Sequence, residues 1–168
     1  DALIDMTPDK LYDSAKEALV AAQSLGCKII LMGTSTSGTL ALKLASDFPQ
    51  LIDGLILLSP NIAINNSSAF ILDKPWGLQI ARYVTKGKYR ITCTDTTSVD
   101  YRYWYGKYRL EGVVYLQQLV RATMNEKVFE KIKKPVFLGY YYKDEKHQDK
   151  VVKVDAMLKM FEQLGTPK

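Results

Sequence analysis

Residues Ile29-Ile30-Leu31-Met32-Gly33-Thr34-Ser35-Thr36-Ser37-Gly38 pass from an apolar, strand-forming stretch through a glycine into small hydroxyl residues, and a helical pattern begins at once. No other run constrains the fold as tightly. Where a strand gives way to a helix within a few residues, the two backbones approach closely and only small side chains fit between them. Gly33 and Ser37, two positions before and two after Ser35, meet that need. Ser35 itself is then expected on a strained turn with its side chain exposed.

Read for chemistry, the run is a nucleophile elbow with Ser35 at its apex. The usual pattern is G-x-S-x-G, so Ser37 is a departure, though its side chain is still small. The Thr36 amide, at the start of the following helix, is the expected oxyanion-hole donor, because partial positive charge collects at a helix N-terminus. Two other glycine motifs fail. A phosphate-binding loop needs G-x-x-x-x-G-K-[ST], but Thr39 and Leu40 follow Gly38, so no lysine reaches a phosphate. A dinucleotide fingerprint needs paired glycines, and Leu31 and Ser35 flank Gly33 instead. The plainer alternative is a turn whose serines and threonines cap the helix.

At 168 residues and 47% hydrophobic content, the chain suits one core. Cys27 and Cys93 belong to no C-x-x-C or Cys/His cluster, so no metal and no cofactor is expected. No apolar stretch approaches a membrane span, and the first residues lack a basic start with an apolar core. The cytoplasm is the expected compartment, with a cropped leader before Asp1 left open. The net charge of +5 is modest and its lysines are spread out, which reads as a solvated surface. Tyr101 to Arg109 interleaves aromatics with cations, but no nucleic-acid motif accompanies it, and no nucleic acid is expected as partner.

Helix and strand signals alternate. Thr7-Pro8-Asp9 starts a helix that Gly26 ends; Cys27 to Met32 is a short apolar strand, expected to be buried on both faces of a parallel sheet. A helix follows from Ser37 to about Phe48. Gly54 to Pro60 and Pro135 to Tyr141 are further strands, and a last helix runs from about Val154 to Leu164. This is a βαβ pattern, and an α/β fold with a parallel sheet follows.

Residues 61–130 interrupt the alternation with helical patches around Trp76 to Val84 and Tyr108 to Arg121. A long insertion after a strand end is a candidate lid, in which Ile71, Trp76, Tyr103, Trp104 and Tyr105 are candidates for lining an apolar acyl or aryl pocket. Ordinary packing is the competing reading for any one of them. Arg82, Arg90, Arg102 and Arg109 are candidates for binding an anionic substrate.

Gly33-Thr34-Ser35-Thr36-Ser37-Gly38 after a strand, Leu57-Leu58-Ser59-Pro60 closing the next, an insert, and Asp149-Lys150-Val151-Val152 after the third together resemble the α/β-hydrolase family, particularly its esterase and lipase-like members. The resemblance implies an α/β-hydrolase core portion at 1–60 and 131–168 and a mainly helical lid or cap at 61–130. It also implies a Ser, acid, His triad in that chain order. Asp149, followed by apolar residues in a loop leading to a helix, fits the acid best; Asp144, closer to the strand end, is the runner-up. His147 is the chain's one histidine, and it lies inside the acid loop rather than after a later strand. The resemblance therefore implies an incomplete core, with the catalytic histidine beyond Lys168 and further strands before the first helix.

Two functions are expected from this reading. One is a serine hydrolase that acts on a small-molecule ester through an acyl-enzyme. The other is a non-catalytic α/β-hydrolase-like domain that binds a hydrophobic ligand or a protein partner.

Overall fold

The computed structural model describes residues 2–66, 71, 72 and 74–167. Residues 67–70 and 73 of the expected insert lie outside that set. In chain order the elements are α1 (Pro8–Leu25), β1 (Ile30–Thr34), α2 (Thr36–Asp47), β2 (Gly54–Leu58), α3 (Gly77–Val84), β3 (Tyr89–Ile91), α4 (Val99–Tyr103), β4 (Lys107–Arg109), α5 (Leu110–Thr123), α6 (Glu126–Phe129), β5 (Val136–Gly139), β6 (Tyr142–Asp144), β7 (His147–Gln148) and α7 (Val154–Glu162). They fall into two compact units: residues 9–66 with 119–168, and residues 1–8 with 67–118.

The larger unit is built on a parallel sheet of order β1-β2-β5. Its register places Gly33, Leu57 and Leu138 in one row and Met32, Ile56 and Phe137 in the next. Because strand side chains alternate, these rows face opposite ways. The first row joins a core with Leu42 of α2 and with Met157 and Met160 of α7, all fully buried. Burying one such side chain stabilises by about 2 kcal/mol, and helix–sheet layering collects many of them.

The face of the second row is open at its edges: Met32 and Phe137 are 66% and 61% exposed and Ile30, on the same face, 62%, while Ile56 between the two is half-buried. The expectation that the first strand is buried on both faces is corrected here: the helices whose side chains join this core all cover the row of Leu57. Outside the sheet, the described residues of this unit also form a two-stranded ribbon, β6 with β7.

α1 is held against α2 by the Tyr12 hydroxyl, which donates to the Asp47 carboxylate, itself paired with Lys43. Burial and this carboxylate both push the Tyr12 phenol up.

The smaller unit combines α3, α4 and the start of α5 with an antiparallel ribbon, β3 with β4. The ribbon was not expected from sequence. The N-terminal arm belongs to this unit: the Arg109 amide donates to Ala2 O at 3.2 Å, and a Cβ on Gly112 would lie 2.9 Å from Leu3 Cβ. Glu111 anchors the unit, taking Arg82 at 2.7 Å and Arg109 at 2.5 Å. Arg109 above all, helped by Arg82 and opposed by burial, pushes its carboxyl down to about 2. Two of the four arginines proposed for an anionic substrate are thus held by this one carboxylate.

Candidate active site

β1 ends at Thr34 and α2 begins at Thr36, so Ser35 makes the whole turn, at φ 52° and ψ −119°. A left-handed backbone on a residue with a Cβ costs about 1–3 kcal/mol and persists only where neighbours over-determine it. Here they do. The Ser35 amide donates to Leu58 O at 3.1 Å, and its carbonyl accepts from the amides of Gly38, Thr39 and Asn61 at 3.0, 3.3 and 3.0 Å.

Steric need explains the glycines. A Cβ on Gly33 would lie 2.7 Å from the Gly38 nitrogen, and one on Gly38 would lie 2.7 Å from Pro60 Cβ. The second close approach therefore falls on Gly38, one residue later than the G-x-S-x-G pattern suggests. Ser37 has another use: its hydroxyl donates to Thr34 O and accepts from Thr34 N, each at 2.8 Å, closing the turn from within. Thr36 opens α2, so its amide is among the N–H groups that have no intrahelical acceptor.

The segment after β2 ties this turn to the loop carrying Asp149. At one end Asn61 holds Ser35, and its own carbonyl accepts from the buried Thr39 hydroxyl at 2.7 Å. At the other end the Asn65 amide donates to Val151 O at 2.8 Å, the Lys153 amide donates to Ala63 O at 2.9 Å, and Ile64 bridges Val152. Asp149 is half-buried. Its Oδ1 accepts from the amides of Val151 and Val152 at 2.8 and 3.1 Å. Burial pushes this carboxyl up, but those amides and the Ser59 side chain outweigh it, and the group sits below the usual carboxylate range.

Asp144 is placed differently. It lies on the exposed β6–β7 ribbon, where Oδ1 accepts from the amides of Lys146 and His147 and meets His147 Nδ1 at 2.8 Å. The His147 contact is the main reason its carboxyl is lowered. Asp144 and His147 are therefore paired with each other on their own hairpin, whereas the segment that holds Asp149 also holds Ser35.

Two residues of this arrangement were missed from sequence. Ser59 carries a left-handed φ of 42° and stands beside Asp149; Asn61 is 3% exposed and grips Ser35. The signal available was the Ser59-Pro60-Asn61 stop at the strand end. Of the expected pocket residues, the aromatics Trp76, Tyr103, Trp104 and Tyr105 are exposed and Ile71 is half-buried. Among the described residues no cluster of three or more His, Cys, Asp or Glu side chains is arranged to hold a metal ion, and no helix is long and apolar enough to cross a membrane.

No sequence-family model matches the chain, and no curated protein matches it by sequence. Solved structures do. One of the metagenome-derived lipolytic enzymes LipS and LipT superposes with a TM-score of 0.73 at 12% identity, over 96% of this chain and 61% of that one. The monoacylglycerol lipase of Paleococcus ferrophilus gives 0.64 at 17% identity, over 95% and 62%. Est1E from Butyrivibrio proteoclasticus, solved with ferulic acid bound, gives 0.56 at 21%, over 96% and 57%. The fold is that of the α/β-hydrolases. The chain spans about three fifths of the length of these structures.

Proposed function

We propose that this chain carries the nucleophile and the acid of a serine hydrolase acting on a carboxylic ester. The observation that carries the reading is Ser35 itself, a serine held at φ 52° between strand and helix by partners on every side. In this reading the turn is the nucleophile elbow, the lid lies within residues 61–130, and the remainder belongs to the catalytic core. The lipases among the structural neighbours support an ester as substrate.

The chemistry needs no cofactor. Ser35 Oγ attacks the ester carbonyl while a histidine takes its proton, and the tetrahedral oxyanion forms against the Thr36 amide. Collapse expels the alcohol, which receives the proton, and leaves an acyl-serine. Water, deprotonated by the same histidine, then releases the acid and restores Ser35. Asp149 orients the histidine and stabilises its charged form without being protonated itself. His147, paired with Asp144, takes no step; the base is assigned to the part of such proteins that this chain does not span.

A fluorophosphonate probe, which phosphonylates an activated serine, tests the reading in the protein as the cell makes it. Labelling that Ser35→Ala abolishes is expected. A folded protein that stays unlabelled would overturn the proposal and favour the non-catalytic, ligand-binding alternative.

A further inference from the structure

Helix α3 carries apolar side chains outward as well as inward, unlike an ordinary surface helix. Its inward side holds Leu78, Ala81 and Arg82, half-buried. Arg82 is fastened to Glu111 at 2.7 Å, and Gly77 is pressed so closely on the preceding backbone that a Cβ would lie 2.4 Å from Leu72 O. Those contacts fix which way the helix faces. Its outward side carries Trp76, Ile80, Tyr83 and Val84, exposed by 70%, 43%, 86% and 72%. At helical spacing these four fall within roughly 100° of arc, a continuous apolar stripe facing outward.

Cations predominate around the stripe. From Asp73 to Thr94 the charged residues are Asp73, Lys74, Arg82, Lys86, Lys88 and Arg90, one acid against five cations. Lys86, Lys88 and Arg90 are exposed and follow the stripe directly. A second copy of the same surface would bring like charges together. An anionic lipid surface would neutralise them, receive the apolar stripe at the acyl boundary, and place the Trp76 and Tyr83 rings at headgroup level, where such rings settle.

We infer that α3 and the cationic segment following it form a docking surface for anionic lipid bilayers. The helix lies in the plane of the interface, stripe inward, with Lys86, Lys88 and Arg90 on the headgroups. This placement does not depend on Ser35, so it stands or falls separately from the hydrolase reading.

The test uses vesicles of ether-linked lipids, which offer no carboxylic ester to hydrolyse. Vesicles containing phosphatidylglycerol are compared with phosphatidylcholine alone. The full chain is expected to cosediment with the anionic vesicles and to detach at high salt. Lys86→Ala with Lys88→Ala is expected to weaken the partition about 25-fold, and Tyr83→Asp with Val84→Asp to abolish it, with circular dichroism unchanged. Ser35→Ala binds like the parent. In Trp104→Phe, which leaves Trp76 as the one tryptophan, brominated acyl chains are expected to quench the fluorescence. That measurement serves even if the aspartate variants do not fold. Failure to bind anionic vesicles, unquenched Trp76 on bound vesicles, or a dimer that the aspartate pair dissolves without vesicle binding would each overturn the inference.

Discussion

The Asn61 amide donates to the Ser35 carbonyl at 3.0 Å, so the residue after the second strand's exit holds the residue that leaves the first. Pro60, between Ser59 and Asn61, lies against Gly38 at the same place. The geometry of Ser35 is thus shared by two adjacent strand ends, and changes at either end should be felt at the serine.

Gly38→Ala should therefore lower stability by about 1–3 kcal/mol, as overpacking of a tight contact does. The added methyl meets Pro60 Cβ at 2.7 Å. Urea denaturation measures the loss, and fluorophosphonate labelling should slow in the same variant as Ser35 shifts.

Ser37→Ala should cost about 1 kcal/mol, because it removes both hydrogen bonds to Thr34 at once. Ser37→Gly, which restores the usual elbow pattern, should do no better, since the hydroxyl rather than the small size is used. Equal denaturation midpoints for the parent and either variant would refute this.

Asp149→Asn should reduce ester turnover on the order of 10⁴-fold, as loss of a triad acid does. Asp144→Asn and His147→Ala should leave turnover near that of the parent, since these two groups face each other on an exposed hairpin. Steady-state kinetics on a chromogenic ester, in the protein as the cell makes it, separates the two carboxylates.

The Glu111 carboxyl falls from an ordinary 4.5 to about 2 in the folded chain. A group whose folded pKa is depressed contributes stability above its unfolded pKa and loses it as pH falls through the folded one. Stability should therefore decline as pH drops from about 4.5 towards 2, and Glu111→Gln should flatten that part of the curve. Thermal unfolding at a series of pH values reads it directly.

Much of the architecture was legible because it rests on short-range signals. Apolar runs bounded by Gly or Pro marked all three strands of the parallel sheet, and Pro8, Pro49 and Pro167 stand just inside or beyond helices whose spacing was clear. What stayed hidden is non-local or too short to have a period. β3 and β4 are three residues each and pair across the segment that carries α4 and Trp104. Glu111 meets Arg82 from 29 positions away, at no spacing that a helix would reveal. The open face of Ile30, Met32 and Phe137 was misjudged because an apolar strand reads the same whether one face or two are covered. At the site, the position of Ser35 was visible in the run itself. Its dependence on Asn61, and the link between its turn and the Asp149 loop, came only from the pairing of residues 61–65 with 149–153; the preference for Asp149 over Asp144 was already drawn from the sequence.

Every hydrogen bond described for the Ser35 backbone, and each steric limit on its turn, is supplied by residues between Gly33 and Asn61. Contacts so close in sequence need little chain to be gathered before they form, and such local sets assemble early and fast. On a ribosome, the Ser35 bend would be finished once β2 and its exit have emerged, long before Asp149 is synthesised. Ser35, one of four described non-glycine residues with a positive φ, is thus among the first to reach its final shape, and the later loop docks against a turn already made.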